Sequence, residues 1–287
     1  MKKDITQNKN IDQNTVDGFG DEWSRFDQSD LSPEELQLLF SEYFSIFPWE
    51  GITKDSIGFD LGCGTGRWAK LVAPKVGKLI CIDPSSALDI AKKNLSTFDN
   101  CEFLSATVDE IPIEDDSMDF GYSLGVLHHV PDTAVGIKQC VNKLKDGAPF
   151  LLYLYYRFDN RPWWFRFIWS ISDLLRKIVS KMPYGPRYAS SQIIALLIYF
   201  PLAKVALIFG KLGVNVDNLP LSAYKNLSFY TMRTDALDRF GTRLEQRFTR
   251  KEIENMMISA GLDNIKVSNS KPFWCAVGYK SGEKVTS

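Results

Sequence analysis

Five short apolar runs alternate with helical patterns through the first half of the chain. Residues 56–61, 78–83, 101–106, 118–124 and 148–156 read as strands, rich in Ile, Leu, Phe and Tyr. Between them, 67–73, 87–98 and 134–144 space their apolar residues as helices do. Strands separated by helical patterns imply parallel pairing through right-handed crossovers, the arrangement of a doubly wound α/β sheet. Upstream, Leu31-Ser32-Pro33-Glu34-Glu35 predicts a helix start. Ser32 is placed as N-cap, Pro33 suits the first helical position, and Glu35 would complete a capping box. Leu36, Leu39, Phe40, Tyr43 and Phe44 then recur at helical spacing.

The regular alternation stops at Arg157 and resumes near Phe248. After it, 250–260 reads as an amphipathic helix closed by Gly261, and 264–268 and 274–279 as two further strands. The predicted organisation is a lead-in and capping helices over 1–50, a core over 51–156, a helical insertion over 157–247 and the end of the core sheet over 248–287.

Charge sets the insertion apart. Residues 157–216 hold nine Lys and Arg against Asp159 and Asp173, an excess of +7 in a chain of net charge −1. Trp163, Trp164, Phe165, Phe167 and Trp169 crowd its start behind Pro162, and 193–212 is apolar except around Pro201 and Lys204. Those two residues would sit mid-bilayer in a spanning helix, which argues against spanning. Two readings stay open: a helical lid over a substrate pocket, or a basic, Trp-rich helix pair in peripheral contact with an inner membrane face.

The rest of the composition excludes more than it selects. At 287 residues and 45% hydrophobic, the chain can build one enlarged domain. A near-neutral charge and the lack of an RNA-binding module speak against a nucleic-acid partner. Five cysteines without a C-x-x-C pair fit reduced thiols in a cytoplasmic protein. No metal site is expected, since His128 and His129 are adjacent and lack ligand spacing. The polar Met1–Gln7 segment has no apolar stretch for a secretory signal; a disordered lead-in of about fifteen residues is expected.

The chemistry concentrates where the first strand ends. Ile57-Gly58-Phe59-Asp60-Leu61 runs into Gly62-Cys63-Gly64-Thr65-Gly66, and the second strand ends in Asp83 followed by Pro84. Glycines let a ligand approach the main chain, and an acid at the second strand end suits a ribose diol. A dinucleotide fingerprint would need its third glycine one residue later, where Arg67 stands. Asp60 would repel a diphosphate but attract an ammonium group. At these residues the chain resembles the class I S-adenosylmethionine-dependent methyltransferases, whose first motif reads acidic-x-Gly-x-Gly-x-Gly. The 117–130 stretch, ending Leu127-His128-His129-Val130, is similar to the small-molecule and lipid methyltransferases that include ubiquinone-biosynthesis enzymes.

The resemblance implies a Rossmann-like, mostly parallel seven-stranded sheet with an inserted helical cap, and S-adenosyl-L-methionine as cofactor. Asp60 would act on its amino group, Gly62, Cys63, Gly64 and Gly66 on its backbone-facing side, and Asp83 and Pro84 at the ribose. Thr107 and Val108 would meet adenine, with Asp109 as substitute acceptor, and Ser123 and Leu124 would complete the wall. His128, His129 and Tyr156 are the candidate catalytic residues, and Arg157 and Arg233, or Asp235 in place of Arg233, the candidate acceptor contacts. One histidine would be a base, or both would merely pack and line. Gly18 to Trp23 resembles a segment that closes over the cofactor, with Phe19 and Trp23 as shields. The implied activity is methylation of oxygen or nitrogen on a small, sugar-like or lipid-linked acceptor. The alternatives are a Rossmann-type NAD-dependent oxidoreductase and a non-catalytic, membrane-associated S-adenosylmethionine-binding protein.

Overall fold

In the computed structural model, which describes residues 10–282, the predicted alternation closes into one seven-stranded sheet. Helices α1 (Gln13–Arg25) and α2 (Pro33–Tyr43) precede it. Then come β1 (Ile57–Leu61), α3 (Ala69–Val72), β2 (Lys78–Ile82), α4 (Ala87–Asn94) and β3 (Cys101–Leu104). The first half ends with β4 (Phe120–Leu124), α5 (Thr133–Asn142) and β5 (Pro149–Tyr153). Four longer helices follow: α6 (Trp163–Val179), α7 (Tyr184–Ile194), α8 (Phe200–Lys211) and α9 (Phe229–Gly241). The chain returns through α10 (Arg250–Ser259), β6 (Leu262–Val267) and β7 (Cys275–Lys280). The strand order is β3-β2-β1-β4-β5-β7-β6, with β7 antiparallel to both neighbours and the other pairs parallel.

The order reverses between β1 and β4, so the ligand cleft belongs at their carboxyl ends. Their register is locked by side-chain volume. A Cβ on Gly58 would stand 2.3 Å from the Phe120 ring, and one on Gly121 would stand 2.3 Å from Phe59. Each phenylalanine fills the notch left by its neighbour's glycine, and the pairing is Gly58 with Phe120 and Phe59 with Gly121. Alternate residues of the strands feed two cores. Phe59, Ile80, Ile82 and Phe150 pack with α5 and α10, whereas Leu79, Phe120, Tyr122 and Leu151 pack under Leu39, Phe40 and Phe44.

Two local expectations change. Ser32 does cap α2, accepting from the Glu35 amide at 3.1 Å, with Pro33 in the first position. The Glu35 carboxylate does not return to the cap; it accepts from Ser228 N (3.1 Å) and Thr231 Oγ1 (2.7 Å), pinning α2 to the start of α9. The reciprocal box forms instead at α10, between Thr249 and Glu252. The disordered lead-in expected over about fifteen residues does not extend through residues 10–15. Residues 10–15 are ordered, with Asp12 capping α1 through the Thr15 amide at 2.8 Å, while residues 1–9 lie outside the described residues.

In the insertion, a π-helical turn at Ala195–Tyr199 fuses α7 and α8 into one apolar run from Tyr184 to Lys211. Its small inner residues (Ser191, Ala195, Ala203, Ala206) and Tyr199 are buried. Val179, Ile194, Met232, Ala236 and Phe240 complete a separate small core around α9.

Candidate active site

Beyond β1 the chain bends through three glycines and bonds to the next strand's end. The amides of Gly62 and Cys63 both donate to the Ile82 carbonyl, at 2.7 and 3.0 Å. Gly62 has φ +76°, and a Cβ there would lie 2.3 Å from Val126, so only glycine fits. The Gly64 amide donates to Asp83 Oδ2 at 2.9 Å, while Asp83 Oδ1 accepts from Ser85 N (2.8 Å) and Ser85 Oγ (2.6 Å). Asp83 therefore both fixes two loops and faces the cleft, with lone pairs to spare for a diol. Burial raises its carboxyl above the usual range.

These loops line one end of a cavity of about 600 Å³. Gly62, Cys63, Gly64, Asp83, Pro84, Thr107, Val108 and Leu124 reach it as expected. Thr107 Oγ1 is buried there without a partner, a free group for a ligand amine. Asp60 sits behind the wall rather than on it. It is 1% exposed beside the Tyr122 hydroxyl, and burial, partly offset by that hydroxyl, pushes its carboxyl up to about 8. A buried carboxyl just behind bare backbone fits a ligand carrying an ammonium group, reached through water. A phosphate-free adenosine with an amino-acid tail thus matches the residues present.

Helix α1 roofs this end. Phe19 and Trp23 line the cavity, and Trp23 Nε1 lies 3.5 Å from where a Gly64 Cβ would be. A Cβ on Gly20 would meet Ser86 Oγ at 2.6 Å, so glycine there lets α1 lie close to α4. Asn10 stitches the entry down: its side chain donates to Asp132 O (2.7 Å) and accepts from Asp132 N (2.6 Å). Its amide takes the Asp109 carboxylate, so Asp109 holds the lead-in and does not line the cavity.

Of the catalytic candidates, His129 lines the cavity and His128 does not. His128 is fully buried between His129 and Tyr155, ring centroids 3.9 and 3.8 Å away, and burial pulls its pKa well down. Its place is packing. His129 Nδ1 donates to the Leu244 carbonyl at 2.7 Å, which leaves Nε2 as an unpartnered acceptor. Burial lowers its pKa and favours neutral imidazole. Tyr156 lines the outer cavity, its hydroxyl accepting from Arg161 Nε at 3.3 Å; burial raises its pKa, which disfavours a phenolate base.

Four further expected contacts do not reach the cavity. Gly66 faces α4, where a Cβ would crowd Leu95 at 2.8 Å. Ser123 is fully buried and donates to Leu61 O at 3.0 Å. Arg157 is turned to the Arg247 carbonyl and Glu252. Arg233 reaches Gln192 Oε1 at 2.6 Å and Tyr188 on the α7 side. In the last two, an arginine placed by chain position found a nearer acceptor within the insertion.

Acids furnish the middle of the cavity, and of these the sequence singled out only Asp235, as an alternative to Arg233 against the acceptor. Glu22 is 3% exposed with Oε1 unpartnered, and burial, reinforced by Asp238 and Asp235, pushes its carboxyl well up. Asp235 accepts from Tyr224 at 2.8 Å, and burial raises it to about 6. Asp238 accepts from the Tyr155 hydroxyl. Beside them Glu245 accepts from Arg247 (2.7 Å) and Arg239 (3.3 Å); burial opposes its charge, yet the two arginines hold its pKa down. Glu22 and Asp238 are 216 positions apart, and no spacing signal could join them. Only the polar density of 229–242 hinted that this segment covers the cleft.

Comparison with known proteins agrees with the geometry. Residues 59–152 match the family described as a methyltransferase domain. A demethylmenaquinone methyltransferase of Staphylococcus aureus is 33% identical over 104 residues, covering 34% of this chain. The chain spans about two fifths (42%) of that relative's length. Among solved structures, a Methanococcus maripaludis protein assigned as an S-adenosyl-L-methionine-dependent methyltransferase superposes with TM-score 0.50 at 16% identity, covering 94% of this chain and 96% of its own. A chain of the Haloferax volcanii complex between the Trm112 methyltransferase activator and its methyltransferase gives 0.51 at 14% identity, covering 92% and 98%. Both are likenesses of fold.

Proposed function

We propose that the chain is a class I S-adenosylmethionine-dependent methyltransferase, as the matched domain over residues 59–152 supports, and that it methylates an oxygen or nitrogen atom of an acceptor with a long apolar part. S-adenosylmethionine, when bound, supplies an electrophilic methyl group on a sulfonium. The backbone from Gly62 to Gly64 and the Asp83 carboxylate would hold its nucleoside, Thr107 and Val108 its base, and Asp60 its ammonium charge. The single-turn α3 that follows the glycine bend, and Gly66 packed on α4, offer no long helix N-terminus for a diphosphate. That disfavours the oxidoreductase alternative.

His129 Nε2 is the group positioned to take the proton of an acceptor hydroxyl or protonated amine, its tautomer fixed by the Leu244 carbonyl. Asp238 raises the affinity of His129 for a proton, against burial, and so would steady the imidazolium. Glu22 and Asp235, whose charged forms burial disfavours, would orient the acceptor's polar end. Alignment and water exclusion under α1 would supply most of the acceleration.

One observation carries the acceptor class. Past this polar middle the cavity continues between α6 and the α7–α8 run, lined by Ile168, Leu175, Ile198 and Leu202. Only an apolar chain would fill such a channel with gain. The test is labelled S-adenosylmethionine with cell extract split into organic and aqueous fractions. Label transferred to organic-phase species is expected; label only in water-soluble species would overturn the acceptor class. Calorimetry with S-adenosylhomocysteine against NAD checks the cofactor separately, and preference for NAD would overturn the methyltransferase reading.

A further inference from the structure

Eighteen of the twenty-two exposed large hydrophobic residues among those described lie between Trp163 and Val214. Soluble monomers scatter such residues; a contiguous set marks a contact surface. Helix α6 is apolar on two sides. Phe165, Ile168, Trp169 and Leu175 face the cavity, while Trp163, Phe167, Ile171, Leu174 and Ile178 face solvent, Trp163 at 74% exposure. A narrow polar stripe of Arg166, Ser170, Asp173 and Lys177 borders the solvent-facing apolar side, which is left without a covering. The α7–α8 run repeats this arrangement. Its inner Ser191, Ala195, Tyr199 and Ala203 are buried, and its outer Ile193, Leu196, Leu197 and Ile208 are exposed.

We propose that this surface docks onto an anionic lipid bilayer, with the acceptor channel opening directly into the bilayer. Three observations select this occupant. The patch is set in cationic surroundings: Arg166, Lys181 and Lys211 are exposed and form no ion pair among the described residues, and the only acid from Asn160 to Val216, Asp173, is already bonded to Arg176 and Lys177. Basic side chains around exposed Trp, Phe and Leu complement anionic headgroups over acyl chains. Next, Ile168, Leu175 and Ile198 are exposed and also line the cavity, so the channel mouth lies within the patch. A lipid-like acceptor could then slide in sideways without crossing water.

Finally, the geometry is that of a helix lying on the membrane. The Tyr184–Lys211 run is long and apolar enough to span, with mean hydropathy 2.3 over its most apolar window. Yet its inner side is packed on α9, whose Arg233 is bonded to Gln192 and Tyr188 of that run. Crossing a bilayer would strip those partners from the half-buried Arg233, a cost of several kcal/mol. The proposal deepens the assigned acceptor class but does not depend on methyl transfer for its test.

Flotation of the full chain with vesicles of equal phosphatidylglycerol and phosphatidylcholine tests it, against pure phosphatidylcholine and at low and high salt. At least fivefold more protein should float with the anionic vesicles, and 1 M salt should reduce that excess. The pair Phe167→Glu and Leu174→Glu, neither of which lines the cavity, should cut flotation at least tenfold while keeping the S-adenosylhomocysteine dissociation constant within twofold. Unchanged flotation of this variant, or none by the parent chain, would overturn the proposal. So would a dimer in sedimentation that the variant converts to monomer, since a second copy would then be the covering. Loss of S-adenosylhomocysteine binding by the parent chain would strike the methyltransferase reading and leave the docking result standing.

Discussion

The sheet and the insertion use the same apolar residue types to opposite ends. Under the sheet, Phe59, Phe120, Tyr122 and Phe150 have no exposed surface, and each core is closed by another part of the chain. In the insertion, α9 covers only one side of α6 and of the α7–α8 run, and the other remains bare. A sequence that closes its own core gives every apolar position an internal partner. One that leaves a whole side open has part of its packing energy reserved for a contact outside the chain. Stability should therefore be concentrated in the glycine bend and sheet, and the outer side of the insertion should be almost inert to it.

The largest effect is expected at Gly62. In Gly62→Val the backbone at φ +76° resists a side chain, and the Cβ collides with Val126. Left-handed strain of about 1–2 kcal/mol and overpacking of about 1–3 kcal/mol combine to roughly 2–5 kcal/mol. Urea unfolding should read that loss, with S-adenosylhomocysteine binding abolished. Gly125 sharpens the contrast, since φ is +80° there but nothing lies within 4 Å of a Cβ. Gly125→Ala should show the strain alone, about 1–2 kcal/mol. If both cost the same, crowding at Val126 is not what selects glycine in the bend.

Asp83 comes next. Removing a carboxylate that accepts from Gly64 and Ser85 and would also hold a diol should cost about 1.5–3 kcal/mol of affinity, a tenfold or greater weakening. Calorimetry on Asp83→Ala measures it. Asp83→Asn keeps one accepting oxygen and should fall between. A variant that binds as well as the parent would leave Asp83 as a turn-former only.

These two residues were legible in the sequence because their roles are local: a bend needs glycine, and a strand end presents its acid. The strand order was legible for a similar reason, since alternating patterns and right-handed crossovers leave few topologies. What could not be read was the pairing of distant surfaces. Glu35 completes no box because Ser228 and Thr231 offer it better donors. Arg157 and Arg233 were assigned to an acceptor by their place in the chain, but each is consumed by a carbonyl or amide nearby. Glu22 joins Asp235 and Asp238 only because α1 folds back over the cleft. The lid and membrane readings of the insertion proved compatible rather than rival, because α6 has one side on the cavity and another on solvent.

A smaller effect on ligand affinity should come from Asp60. Burial raises its carboxyl from about 3.9 unfolded to about 8 folded. The folded chain thus binds more protons than the unfolded chain between those values. Stability should fall as pH rises from about 4 to about 8 and flatten above. Affinity for an ammonium-bearing ligand should move the other way, rising up to about tenfold between pH 6.5 and 8.5 as the carboxylate ionises. Asp60→Asn should remove both slopes. Calorimetry in buffers of different ionisation enthalpy should detect proton release on binding S-adenosylhomocysteine to the parent chain. A pH-independent affinity would mean that Asp60 does not sense the ligand.

The smallest effect is expected where the comparison is most exposed to failure. Leu174 is 63% exposed on the outer side of α6, and Ala195 is fully buried on the inner side of the α7–α8 run. Leu174→Ser removes a side chain that touches little of its own protein, so urea unfolding without lipid should change by no more than about 0.5 kcal/mol. Ala195→Leu forces a larger group into the small-residue seam against α9 and should cost about 1–3 kcal/mol. The two changes therefore separate the sides of the insertion by the sign and size of what they disturb. If Leu174→Ser destabilised the isolated chain as much as Ala195→Leu does, the outer side would already be packed against something internal. The bare surface on which the contrast between sheet and insertion rests would then not exist in solution.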